Sequence, residues 1–165
     1  MNENFIPQMA LVRALPKSFA NCLKLKAPLN PINVALAQQQ HRNYVNALRS
    51  IHLKVIELPA DEHLPDCCFI EDTAVIIGNK AAISFLGAPE RREEEILVQE
   101  ELAKQGIQGT NIKSPGTLDG GDVLFTGKHI FVGLSSRTNT SGAAQLAKIF
   151  PEFPLISVPA EESLH

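Results

Sequence analysis

The sequence predicts an α/β fold assembled from repeated supersecondary units, and three observations carry that prediction. Short apolar strands end in proline at positions 16, 59, 115 and 159, at intervals of 43, 56 and 44 residues. Acidic loops follow the second and third of these prolines, and each leads into two apolar runs joined by a glycine-containing turn. A helical stretch then closes the unit. Periods of this length belong to units that recur radially or in an array. Ordinary α/β alternation, with prolines ending strands by chance, is the competing reading; the recurrence of the turn and of the strand after it favours the repeat.

Each element has its own local cause. Residues 9–15 read as a buried strand closed by Pro16. Residues 17–31 have no clear period and carry Pro28 and Pro31, so they read as a loop. Asn33 caps a helix to about Ser50, because Val34, Leu36, Ala37, Tyr44, Val45 and Leu48 fit helical spacing better than alternation. Residues 53–58 form the strand before Pro59. Residues 73–77 and 81–85 form a hairpin turned at Gly78-Asn79-Lys80. Pro89 precedes a charged helix over about 91–105, which Gly106 is placed to end. The next unit opens with a strand at 112–115 and continues with 123–125, a Thr126-Gly127-Lys128 turn, 130–132 and a helix over about 141–149. Leu155 begins a third unit that stops at His165. The expectation is one incomplete domain, 1–165, with exposed apolar edges.

Composition narrows the class. With 165 residues and 44% hydrophobic content, one sizeable core is affordable. No apolar run approaches the roughly 20 residues that span a bilayer, and the N-terminus lacks a basic stretch followed by an apolar core. Neither a membrane nor a secretory route is therefore expected. A net charge of −3 argues against nucleic acid. Cys22, Cys67 and Cys68 make neither a disulfide framework nor metal-ligand spacing, which fits a reducing cytoplasm with no metal and no cofactor.

Three constellations can carry chemistry. In the segment 64–72, Asp66, Glu71 and Asp72 sit among apolar residues; on an extended chain Asp66 and Asp72 share parity and face one way. Two carboxylates on one side suit a planar guanidinium with paired N–H donors, and they suit a solvated acidic loop equally well. Asp119-Gly120-Gly121-Asp122 lets the backbone approach a ligand closely, or serves as a Gly-rich turn with a local aspartate cap. His165 follows Glu161 and Glu162 where other units place their acids. Arg91 and Arg137 each follow the second strand of a hairpin, so they can clamp one carboxylate or lie on the surface at a helix start.

At these residues the chain resembles the dimethylarginine dimethylaminohydrolase family. The resemblance rests on Leu58-Pro59-Ala60-Asp61-Glu62, Pro65-Asp66, Phe69-Ile70-Glu71-Asp72, Gly87-Ala88-Pro89, residues 117–127, Val132-Gly133-Leu134-Ser135 and Arg137-Thr138-Asn139. It runs colinearly from about Leu11 to His165. It implies a pentein-type α/β propeller of five strand–strand–helix–strand blades, about three of them present here. It further implies that Asp66 and Asp72, with Glu71 beside them, hold a substrate guanidinium, that Arg91 and Arg137 hold its carboxylate, and that Asp119 orients a catalytic His165, Glu71 belonging to the catalytic set as well. Leu23 is the nearest candidate for the loop leucine that contacts substrate. The implied ligand is a methylated arginine, hydrolysed to citrulline without a cofactor. The family's nucleophilic cysteine matches none of the three cysteines here, so the chain reads as an N-terminal part that is inactive alone. A non-catalytic guanidinium-binding module and an arginine or agmatine deiminase relative are the competing readings. Oligomeric state is not legible.

Overall fold

The structure is a computed structural model that describes residues 7–24, 26 and 28–160. These residues form an α/β fold that clusters into two compact units, Met1–Ile70 and Glu71–His165.

In the first unit, β1 (Met9–Arg13) pairs in parallel with β2 (Lys54–Leu58), Met9 lying opposite Lys54 and Arg13 opposite Leu58. Parallel neighbours need a crossover, and α1 (Val34–Ser50) supplies it. Asn33 caps this helix as expected, its side chain accepting the Leu36 N–H at 3.0 Å. The segment expected as plain loop contains a 3-10 turn at Lys17–Asn21. Its cause is remote: the Glu62 carboxylate accepts the N–H groups of Lys17 and Ser18 at 2.9 and 2.8 Å. Those two bonds hold the Glu62 carboxyl below its ordinary pKa.

The second unit contains the repeat. The antiparallel hairpin of β3 (Ala74–Ile77) and β4 (Lys80–Ile83) turns at Gly78, whose φ of 63° suits glycine. After α2 (Glu94–Lys104) the chain returns as β5 (Gln108–Asn111), parallel to β4. The same plan recurs with β6 (Val123–Phe125), β7 (Ile130–Leu134), α3 (Thr140–Ile149) and β8 (Leu155–Pro159). Each module is strand, strand, helix, strand. Val75, Ile77 and Ala82 of the first sheet share one core with Ile130 and Val132 of the second and with Ala143, Leu146 and Phe150 of α3. Phe150 is fully buried there. Replacing it with alanine is expected to cost about 3–5 kcal/mol, read from the urea midpoint.

Two strand assignments need correction. The third leading strand is not 112–115 but Gln108–Asn111, four exposed polar or small residues. Pairing with β4 recruits this segment against its weak β preference, which local composition could not show. Proline also does not end the strands uniformly: Pro159 is the last residue of β8, but Pro16 stands three residues past the end of β1 and Pro115 four past the end of β5. The helix expected from residue 91 begins at Glu94, after a 3-10 turn at Pro89–Arg91. Among the described residues no helix is long and apolar enough to cross a membrane.

Candidate functional site

The site is built on the segments that flank the two hairpins of the second unit. The 3-10 turn Ile70–Thr73 enters β3 and buries Asp72. The turn Pro89–Arg91 follows β4 and buries Arg91. Arg91 Nη1 donates to Asp72 Oδ2 at 2.7 Å. Its Nε and Nη2 donate to the Glu94 carboxylate at 3.0 and 2.8 Å, a side-on fork. Glu94 is 1% exposed. Burial opposes the guanidinium charge, but Glu94 and Asp72 outweigh it and hold Arg91 above its ordinary pKa. Arg91 is thus a fixed cation between two buried acids.

The second module supplies Asp119 and Arg137. Asp119 stands just before the 3-10 turn Gly120–Asp122 and is fully buried. Its Oδ1 accepts the Gly87 N–H at 2.8 Å, while Oδ2 has no hydrogen-bond partner among the described residues. Burial pushes its carboxyl upward, the Gly87 N–H opposes this, the Asp72 charge adds to it, and Arg91 and Arg137 oppose it; the net direction is up. Arg137 Nη1 is likewise buried and unpartnered. Buried polar atoms left this way are costly unless a ligand or a proton meets them. Ser135 shapes the loop that carries Arg137. Its hydroxyl donates to Asp122 Oδ2 at 2.8 Å and accepts the Arg137 and Thr138 N–H groups at 3.0 and 3.2 Å.

The two modules grip each other through their acids. Asp72 accepts the Gly121 N–H at 3.1 Å, and Asp119 accepts the Gly87 N–H. Glycine is required at 87, because a Cβ there would run into the backbone of Arg137.

The remaining candidates fall elsewhere. In the first unit, Asp66 is buried and both its oxygens accept the Leu23 N–H, at 3.2 and 3.1 Å. The backbone around it turns, with Leu64 N–H to Asp61 O, Cys67 N–H to Leu64 O and Phe69 N–H to Asp66 O. The shared parity expected for Asp66 and Asp72 on an extended chain therefore does not hold. Glu71 is exposed. Arg91, expected on a ligand carboxylate, is engaged by Asp72 and Glu94. His165, Glu161 and Glu162 lie outside the described residues. Of the thiols, Cys22 is buried and pushed upward by burial and then by the Asp66 charge, and Cys67 is fully buried. Among the described residues no group of His, Cys, Asp and Glu is arranged to hold a metal ion.

Sequence reasoning missed Glu94, Ser135 and Thr138. Glu94 had a signal, since it sits three residues after Arg91 and such pairs meet on helical turns. Thr138 had none: its Oγ1 accepts the Asp119 N–H from 19 residues away.

Residues 22–165 match the family described as N,N dimethylarginine dimethylhydrolase, eukaryotic. The chain is 39% identical over 158 residues to DDAH2 of Bos taurus, covering 94% of this chain and 55% of the relative. It is 36% identical over 158 residues to the N(G),N(G)-dimethylarginine dimethylaminohydrolase of Streptomyces coelicolor, covering 94% and 61%. Among solved structures, a Cys-to-Ser mutant of the Pseudomonas aeruginosa enzyme in complex with citrulline superposes with a TM-score of 0.92 at 30% identity, covering 98% of this chain and 64% of that one. The chain spans little more than half the length of the curated relatives it matches. By its matched residues, its identity to these relatives and its α/β fold, the chain belongs to the dimethylarginine dimethylaminohydrolase family.

Proposed function

We propose that the chain is the guanidinium-binding and acid–base part of an amidinohydrolase that converts dimethylarginine, and monomethylarginine, to citrulline and the free methylamine. The observation that carries this reading is Asp119, a fully buried carboxylate with one oxygen fixed by Gly87 and the other without a hydrogen-bond partner among the described residues. Such an acid is suited to receive the N–H of an imidazole and hold it in one tautomer. His165 is the imidazole assigned to it. Asp66, Glu71 and Asp72 take the guanidinium, and Leu23 contacts the substrate from its loop. Arg137 takes the substrate carboxylate through its Nη1, which has no hydrogen-bond partner among the described residues, while Arg91, held by Asp72 and Glu94, contributes positive charge without a direct bond. The proposed architecture is a five-bladed propeller, of which these residues would form about three blades. Neither a cofactor nor a membrane takes part, and the cytoplasm is the proposed compartment.

The chemistry follows from the groups. A cysteine thiolate adds to the central guanidinium carbon, forming a C–S bond and a tetrahedral centre. His165 protonates dimethylamine as its C–N bond breaks. It then takes a proton from water, whose oxygen attacks the same carbon and expels the thiolate, leaving citrulline. Buried Cys22 and Cys67 are poor nucleophiles, since burial disfavours the thiolate. Burial does not count against half-buried Cys68, but the resemblance matches none of the three cysteines to the nucleophile. The reactive cysteine is therefore assigned to the part of its relatives' length that this chain does not span.

The test is citrulline release from dimethylarginine, measured for this chain and for a longer version that supplies the absent part. Release by the longer version alone is expected. Turnover by the 165 residues would overturn the assignment of the nucleophile, and an inactive longer version would overturn the activity. The buried thiols also favour a second reading, a guanidinium-binding module without catalysis. Calorimetry with dimethylarginine addresses it, and the absence of binding removes it. Turnover of free arginine or agmatine in preference to methylated arginine would instead point to a deiminase.

A further inference from the structure

The first unit carries a polar cleft that the proposed chemistry does not use. It lies where the parallel strands β1 and β2 end, beside the first half of α1. The crevice outside the carboxyl ends of parallel strands is the usual ligand position in open α/β sheets. Ala14 and Leu15 line it from just past β1, Glu57 from the end of β2, and Gln38, His41 and Arg42 from the helix. Its volume is about 240 Å³, below the roughly 300–1,000 Å³ of clefts that take drug-sized ligands. Only a small molecule fits.

The groups left open in this cleft carry both signs of charge. The side chains of His41 and Arg42 have no partner among the described residues, so an imidazole and a guanidinium fork are open to an anion. Gln38 is oriented by its own bond: Nε2 donates to Leu15 O at 3.1 Å, which leaves Oε1 as an acceptor. Glu57 Oε2 accepts from Arg49 Nη2 at 3.1 Å, a single exposed contact that solvent screens, and Oε1 stays open. A phosphate would meet the Glu57 carboxylate, and a simple amine would meet Arg42. Each is opposed by one half of the lining. A molecule carrying both charges is opposed by neither.

We propose that this cleft binds a small free α-amino acid, its carboxylate on Arg42 and His41 and its ammonium on Glu57 Oε1 and Gln38 Oε1. The ligand needs no guanidinium, and the cleft shares no residue with the site around Asp119. The inference therefore stands independently of the proposed activity.

The experiment follows backbone amide signals of the isotope-labelled chain by NMR during titration with L-alanine, which has both charges and no guanidinium. Saturating shifts are expected at Ala14, Leu15, Gln38, His41 and Glu57. Acetate and ethylamine, each half of the ligand, should bind at least about tenfold more weakly. Arg42→Met should weaken alanine about tenfold. Glu57→Gln should weaken alanine about tenfold without weakening acetate, whereas a merely structural role would weaken both probes together. Arg42 and Glu57 are both exposed, and either variant decides alone if the other does not fold. An unchanged affinity for alanine in Arg42→Met, or an unchanged alanine-to-acetate ratio in Glu57→Gln, overturns the inference. So do acetate binding as tightly as alanine, shifts that do not saturate, and shifts confined to the second unit.

Discussion

Replacing Arg91 with methionine is expected to destabilise the fold by about 3–5 kcal/mol, measured by urea unfolding near neutral pH. Methionine nearly matches the stem of the arginine, so little of the loss comes from a cavity. It comes from Asp72 and Glu94, 2% and 1% exposed, which are left facing each other without their shared cation. Two buried carboxylates in that position resist ionising together, so at least one binds its proton more tightly when folded than when unfolded. The variant should then recover stability as pH falls through that raised pKa. A loss that stays constant from about pH 7 to about pH 4 would contradict this account. The exposed pair of Lys80 and Glu152, 3.0 Å apart with both side chains over 40% exposed, is the control. Breaking it should leave the urea midpoint essentially unchanged, because solvent screens so exposed a pair.

Asp119→Asn should move stability and activity in opposite directions. In the longer version that supplies the nucleophile, hydrolysis of dimethylarginine is expected to fall by about 10²–10⁴, because an amide cannot balance an imidazolium. The fold should become more stable near neutral pH. Burial is the largest influence on the Asp119 carboxyl and raises it above its ordinary value of 3.8. The folded chain therefore holds this proton more tightly than the unfolded chain, and ionisation at higher pH costs stability. The asparagine avoids that cost and can still accept the Gly87 N–H. Its advantage should appear above the raised pKa and vanish as pH falls toward 3.8. Thermal melts across pH, beside citrulline assays, read both effects. An asparagine variant melting below its parent at neutral pH would count against the burial argument.

Much of this was legible in the residues. The cap at Asn33, the turn at Gly78 and the helix end at Gly106 are local devices, and each stands where the sequence places it. The hairpin-and-helix repeat was visible because its turn recurs. What stayed hidden depends on partners distant in sequence. Gln108–Asn111 is a strand only because β4 offers it a ladder. The turn at Lys17–Asn21 depends on Glu62. In the site, the acids and arginines were recognisable as types at fixed places, and Asp119 lies at full burial. The partnership of Arg91 with Asp72 and Glu94 was not, because a pattern of residues does not say which of several acids takes an arginine. The turned backbone around Asp66 defeated a parity argument that holds only on extended chain.

The reciprocal bonds between the modules, Asp72 to Gly121 and Asp119 to Gly87, have a consequence for folding fidelity. Each bond spans two repeats of similar design, the kind of pair that can dock in a shifted register. A shift would separate both acids from their amides at once, and it would move the carboxylates assigned to the proposed chemistry. Docking and the proposed activity are therefore tied to the same two contacts, so a chain that assembles its repeats wrongly is expected to lose that activity rather than change its selectivity.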